Sequence, residues 1–379
     1  MSEPLTIVHV VGNSVIGGAE RHVREIAGAM RDRGHHVDVV CPRPGPLTEA
    51  LEREGIAFTC REFVVPLPND EYGLEPDAVS WLAEYLRVRG VDVVHSHLYP
   101  AHLHASLAAH DAGIRAIVHT AHTLVARPGD AVLTRVTGAV TIATARAVAA
   151  RLSESGVPEE HLRVIYNGIG REHALLPGEA GVRLREELAL TGRVVLLAVS
   201  RLSPEKGLDV LLRSMPKVLS ARPEAVLLIA GAGPERKRLE RLVADLGVGT
   251  AVRFLGSRDD TAALYRACDV FVLPSSEEAC SLALLEAMAA AAPIVATAVG
   301  GTPEVARDGL DASLVPPREA DVLAAAIVHL LDDPKRRLAL GASARRRVLL
   351  RFSLDAAVDA TLTLYRELLA RATRASSRR

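Results

Sequence analysis

One stretch limits what this chain can fold into: residues 269–305, DVFVLPSSEEACSLALLEAMAAAAPIVATAVGGTPEV. The apolar, β-branched run Asp269–Leu273 predicts a buried strand. A polar, turn-like segment follows over Pro274–Ser281. The Ala/Leu-rich run Leu282–Ala292 predicts a helix that stops at Pro293, because proline lacks the N–H a helix interior needs. Ile294–Thr297 predicts the next strand, and Gly300-Gly301 a loop that lets backbone approach a ligand. Together these make a βαβ unit with a ligand-facing loop at the carboxyl end of its first strand.

That loop holds the chemistry. Glu278 and Glu286 have seven residues between them, which puts Glu278 in the loop and Glu286 in the second turn of the helix. The helix start at Ser281, Leu282 and Ala283 offers unpaired N–H groups and a positive dipole end, a seat for phosphate. A carboxylate on either side suits the hydroxyls of a sugar and of a ribose. Spacing alone favours a solvated loop acid and a helix-surface acid. Glu286, however, is set in the apolar run LALLEAMAAAA, and such a carboxylate asks for a partner.

Composition narrows the classes. A chain of 379 residues has room for two domains, each with its own core. A net charge of −1 and 3% aromatic residues argue against a nucleic-acid surface. The four cysteines show no C-x-x-C spacing and read as reduced thiols of a cytoplasmic protein. The N-terminus lacks the basic region of a signal peptide, and no apolar run is long enough to span a bilayer. The basic end, RATRASSRR from Arg371, reads as a disordered tail suited to weak contact with an anionic membrane.

In the first half, Leu5–Val11 predicts a strand that runs into a Gly-containing loop, a helix, a turn at Gly34 and a second strand. This is the opening of a Rossmann-like domain. Gly12, Gly17 and Gly18 lack the G-x-G-x-x-G spacing, and no acid closes the second strand, so a nicotinamide site is not predicted. Gly17 and Gly18 still suit close backbone approach, although a bare turn would use the same residues. Val91–His95 and Ala116–His119 predict further strands. His102 and His104 lack the spacing to share a helix face, so no metal site is predicted there. His97 and His122 each follow a strand at its carboxyl end, where a doubly wound sheet builds its cleft.

In the second half, the polar stretch Arg171–Leu190 reads as a linker and hinge. Val194–Val199 predicts the first strand of the second domain, and SRLSPEKG places Arg201 and Lys206 on the following loop. Two cations there suit a diphosphate, Arg as a planar fork and Lys as a point charge. Val252–Leu255 predicts a strand ending at Gly256. Asp259-Asp260 reads as a helix cap rather than a metal motif.

PSSEEACSLALLEAMA resembles the E-x(7)-E signature of glycosyltransferase family 4, the retaining enzymes with the GT-B fold. SRLSPEKG, GGAER, GAGP, DVVHSH, VHTAHT and VIYNGIG resemble other motifs of that family, and the resemblance covers roughly residues 5–370. Departures are Ala279 where the family usually has Gly, Tyr166 and Gly170 where Pro and Asp are common, and Leu354 where Trp is common. The resemblance implies an α/β fold of two Rossmann-like doubly wound domains facing each other across a cleft. Residues 1–172 would form the acceptor-side domain, with a last helix of about 354–372 packing back on it. Residues 190–353 would bind the donor.

The implied reaction moves a hexosyl unit from a nucleotide-diphospho-sugar to an acceptor hydroxyl, in glycan, glycolipid or metabolite biosynthesis. A UDP-sugar is favoured and a GDP-sugar second, on family frequency. Arg201 and Lys206 would stabilise the departing diphosphate, as charge development in glycosyl transfer requires. By resemblance, Glu278 holds donor-sugar hydroxyls and Glu286 the ribose. His122 faces the transferred sugar. Gly17, Gly18, Gly256, Ser281, Leu282 and Ala283 border the donor, and Glu20, Arg21 and His97 lie on the acceptor side. The acceptor would be a small molecule or a lipid-linked glycan. No cofactor and no divalent metal are expected, since the cations replace one. The alternatives are a non-catalytic sugar-nucleotide-binding subunit and a GT-B epimerase.

Overall fold

The computed structural model describes residues 3–68, 71–170 and 178–376. The chain divides into two compact units, Met1–Asn167 with Leu354–Arg379, and Gly168–Ser353. The expected boundary lay at 172. Of the expected linker, residues 171–177 lie outside the described residues. Gly178–Glu187 is a helix instead, because Leu184 is buried and Arg185 donates to the Ala267 carbonyl and the Asp269 carboxylate, each at 2.7 Å.

Among the described residues, the first unit carries nine strands. They are β1 (Thr6–Val11), β2 (His36–Cys41), β3 (Ala57–Cys60), β4 (Val65–Pro66), β5 (Tyr72–Gly73), β6 (Val93–His97), β7 (Ala116–Ala121), β8 (Val140–Ala143) and β9 (Leu162–Val164). β4 and β5 pair antiparallel as a separate two-stranded ribbon. The other seven form a parallel sheet in the order β3-β2-β1-β6-β7-β8-β9. Its central strands are buried on both faces, with His9, His95 and His97 set among their apolar residues. The chain winds outward from β1 to β3 and then returns to β6 on the other side of β1. That reversal opens a crevice outside the carboxyl ends of β1 and β6.

The helix Leu354–Ser376 belongs to this unit. Val358, Leu362, Leu364 and Tyr365 pack into one core with Leu5, Ile7, Ile26, Met30, Val93 and Val118. The helix runs through Ser376, so much of the stretch expected to be a disordered tail is helical, and 377–379 lie outside the described residues.

The second unit repeats the plan with β10 (Val194–Val199), β11 (Ala225–Ala230), β12 (Val252–Gly256), β13 (Val270–Leu273), β14 (Ile294–Thr297) and β15 (Ser313–Val315). All pairings are parallel, in the order β12-β11-β10-β13-β14-β15. The reversal here lies between β10 and β13. The helix between β13 and β14 spans Leu282–Ala289, shorter than its sequence pattern, because Ala291 turns to φ 56° ahead of Pro293. No helix among the described residues is long and apolar enough to cross a membrane.

Candidate active site

The carboxyl edge of the second sheet gathers the charged residues. After β10 the loop carries Arg201, then a 3-10 turn over Pro204–Lys206 that closes at Gly207. Gly207 sits at φ 61°, and a Cβ on it would lie 2.1 Å from the Pro274 carbonyl oxygen. Only glycine lets this loop close against the loop after β13. Gly231 plays the same part on the other side, with φ 139° and a Cβ position 1.9 Å from the Ser200 carbonyl oxygen.

This contact brings Lys206 to Glu278. Lys206 Nζ donates to Glu278 Oε1 at 2.8 Å, and the Ser275 hydroxyl donates to the same oxygen at 2.7 Å. The Glu278 backbone carbonyl accepts from Gly301 N at 3.0 Å, which ties the loop to the Gly300-Gly301 turn. Ser275 is itself pinned, its carbonyl accepting from the Thr297 hydroxyl at 2.5 Å. The Glu278 side chain is only 6% exposed, so the ion pair is screened little by water. Losing one member would leave the other desolvated and unpaired.

Arg201 is held differently. Its guanidinium donates to Glu205 Oε1 at 3.0 Å, and the Ser203 hydroxyl donates to the same oxygen at 2.5 Å. Burial alone would raise the Glu205 carboxyl, but the Ser203 and Arg201 hydrogen bonds outweigh it and hold the group below the ordinary carboxylate range. The Arg201 side chain remains 67% exposed, a fork with donors left for a ligand. Ser281 caps the helix Leu282–Ala289 and accepts from Leu284 N at 3.3 Å. Glu286 is buried on that helix. Gly256 ends β12 at φ 70°, and its carbonyl accepts from Gly231 N at 2.7 Å.

The carboxyl edge of the first sheet gathers imidazoles instead. His97 closes β6, rather than following it, and His122 follows β7. His97 Nδ1 lies 3.1 Å from His122 Nε2, and His97 Nε2 lies 3.0 Å from His9 Nδ1. His95 is bracketed by the Tyr365 hydroxyl at 2.5 Å and the Thr120 hydroxyl at 2.6 Å. Burial, helped by neighbouring rings, pushes His97 and His122 well below the usual imidazole range. Burial and His22 push His9 down to about 3, and burial pushes His22 down to about 4. All are therefore neutral at pH 7, each with one N–H and one lone pair. His97 must donate to one neighbour and accept from the other, so the tautomers of His9, His97 and His122 are fixed together.

Among the described residues, two triads, His9-His95-His97 and His22-His97-His122, bring their ligand atoms within 4.8 Å of one another and could take a metal. His97 belongs to both, and its two nitrogens already serve His9 and His122. His102 and His104 stay apart from this group. His102 stacks on His119 with ring centroids 4.0 Å apart, and His104 Nε2 accepts from Glu75 N at 2.9 Å. Glu20 serves the first loop, its carboxylate accepting from Gly17 N at 2.9 Å as the helix Gly18–Asp32 begins. Leu98 follows His97 at φ 69°, a strained turn of the kind found beside functional groups.

Several contributors escaped sequence reasoning. Glu205 and Ser275 lay inside motifs whose cations and glutamate drew attention first. His9 was visible as the one titratable residue in the strand TIVHVV. The expected helix cap at Asp259-Asp260 is met in position by Asp260 but not in its side-chain bonding. Asp260 holds the N-cap position, and its carboxylate takes the Arg258 guanidinium at 2.5 and 2.7 Å without making a capping bond to the helix.

Comparison with known proteins agrees with this geometry. A family model described as Glycosyltransferase Family 4 matches residues 16–173, and one described as Glycosyl transferases group 1 matches 183–347. A D-inositol 3-phosphate glycosyltransferase of Acidothermus cellulolyticus is 32% identical over 98% of this chain and 90% of its own length. A GDP-mannose-dependent alpha-(1-6)-phosphatidylinositol monomannoside mannosyltransferase of Mycolicibacterium smegmatis is 32% identical over 52% of this chain and 53% of its own. Among solved structures, the Anabaena protein HepE in complex with UDP-glucose superposes with a TM-score of 0.82 at 23% identity, covering 98% of this chain and 100% of that one. A glycosyltransferase from Rickettsia africae superposes at 0.84 and 23% identity, covering 97% and 99%. The chain is a member of glycosyltransferase family 4, an enzyme with the GT-B fold that uses a nucleotide sugar.

Proposed function

We propose that this enzyme transfers a hexosyl unit, with retention, from a UDP-sugar to an acceptor hydroxyl, a GDP-sugar being the second donor to try. One observation carries the reading: the buried Lys206–Glu278 pair, anchored by Ser275 at the reversal between β10 and β13. A lysine so placed supplies fixed positive charge to a diphosphate, and the carboxylate beside it takes sugar hydroxyls. Arg201 adds its exposed fork and the helix at Leu282 its N–H groups. Glu286 is assigned to the ribose and Gly256 to the base. In the first unit, His122 is assigned to a hydroxyl of the transferred sugar. Gly17 and Gly18 are assigned to the donor, and Glu20, Arg21 and His97 to the acceptor side.

The anomeric C–O bond breaks with its electron pair passing to the β-phosphate. The acceptor oxygen bonds to the same face of the anomeric carbon, and its proton passes to the departing phosphate. The names of the relatives make a phosphorylated inositol the first acceptor to try and a lipid-linked glycan the next.

Thermal shift and slow donor hydrolysis, run with UDP-, GDP- and ADP-sugars on wild type and Lys206→Ala, test this. One nucleotide class should raise Tm by mass action and be hydrolysed, with both effects lost in the variant. Donor binding undiminished by Lys206→Ala would sink the assignment.

A further inference from the structure

The helix Pro334–Arg351, PKRRLALGASARRRVLLR, carries seven cations and no acid in a chain whose net charge is −1. Arg347 is used inward, donating to the carbonyls of Val305 at 2.7 Å and Glu304 at 2.9 Å. Lys335, Arg336, Arg337, Arg346 and Arg351 make no ion pair among the described residues. The same helix exposes large apolar groups: Leu338 is 76% exposed, Leu349 40% and Leu350 81%. Leu338, Ala342, Arg345 and Leu349 follow the i, i+4, i+7, i+11 spacing of a single face. Beside it opens a cavity of about 740 Å³, walled by Pro293, Leu338 and Leu349 and rimmed by Arg337, Arg345 and Arg346. The one acid lining it, Asp269, is already held by Arg185. Asp269 and Pro293 precede β13 and β14, so this cavity lies at the amino-terminal ends of the strands, away from Lys206 and Glu278.

We propose that this face docks the enzyme on a bilayer bearing anionic lipid. Lipid phosphates meet the arginines, and Leu338, Leu349 and Leu350 enter the interfacial layer. Nucleic acid would satisfy the arginines but leave the leucines against water. A second copy paired through the same face would set like charges opposite each other. The inference does not rest on the donor assignment.

Flotation of the full chain with vesicles tests it, using phosphatidylcholine alone or mixed with phosphatidylglycerol, at low and high salt. Binding is expected only to the anionic vesicles, weakening with salt. Arg336→Gln with Arg346→Gln should lower the partition coefficient about fivefold per arginine. Leu338→Ser with Leu350→Ser should weaken it independently. Arg374→Ser, Arg378→Ser and Arg379→Ser together should leave it unchanged. All these positions are outside the donor-site assignments, so Tm and the donor response should match wild type and exclude misfolding. No binding to anionic vesicles, or loss only in the Arg374/Arg378/Arg379 variant, overturns the proposal. So does tighter binding to a DNA duplex than to vesicles through Arg336 and Arg346.

Discussion

The carboxyl edges of the two sheets share a topology and differ in their electrostatics. At the first, the working groups are neutral imidazoles, and only His173 and His329 of the fourteen histidines fall after residue 167. At the second they are charged groups, Arg201 paired with Glu205 within one loop and Lys206 with Glu278 across two. A doubly wound sheet supplies the crevice, and the residues at its strand ends decide the task. Fixed ions suit the edge proposed to meet a departing phosphate. Neutral donors and acceptors suit hydroxyls, which carry no charge to compensate.

Acid should produce the largest difference between the edges. Unfolded imidazoles take up protons as pH falls through about 6.5, whereas His9 stays neutral to about 3 and His22 to about 4. The unfolded state then binds more protons, so stability present above 6.5 is lost below it. The slope is about 1.4 kcal/mol per pH unit for each such ring. Trp81, the single tryptophan, lies in the first unit on the helix Pro76–Val88 and reports its unfolding. Its urea midpoint should fall steeply from pH 7 to pH 5; an unchanged midpoint would break the comparison.

Next in size is Lys206→Ala. Removing the cation should lower kcat/KM about 10²- to 10³-fold. It should also destabilise the second unit by leaving the Glu278 carboxylate buried and unpaired. Adding Glu278→Gln should restore Tm but not turnover. Recovery of both would mean that the pair is structural only.

Smaller effects come from single hydrogen-bonding groups. His122→Gln keeps a donor but cannot share the His97 tautomer chain, and should cost about tenfold in kcat. His9→Phe, which never touches substrate in this assignment, should shift the pH profile of kcat while leaving donor KM unchanged. A purely structural His9 would lower Tm and leave that profile alone. Arg201→Lys should cost least, under about tenfold and mostly in donor KM, because the exposed fork is lost while the charge remains.

Much of this was legible in the sequence. The bounds of β10, β11 and β14 match their apolar runs residue for residue, since strands buried on both faces announce themselves without ambiguity. The spacing of Glu278 and Glu286 and the SRLSPEKG loop led directly to the charged edge. What stayed hidden depends on contacts far apart in the chain. The polar segment Gly178–Glu187 reads as linker until Arg185 finds Asp269. His9 reads as strand filler until His97 arrives beside it from β6. Asp260 stands at the helix start as its sequence reads, but its carboxylate turns to Arg258 two residues away rather than to the helix N–H groups.

The last helix has a consequence for how the protein is made. Tyr365 reaches His95 inside the first unit's core, and Leu362 packs with Ile7. The second unit is one uninterrupted segment, Gly168–Ser353, and every residue it needs has been synthesised before Leu354. The usual vectorial order, in which the domain that begins first finishes first, is therefore inverted. The unit that leaves the ribosome first must wait for its own final helix while the later one closes.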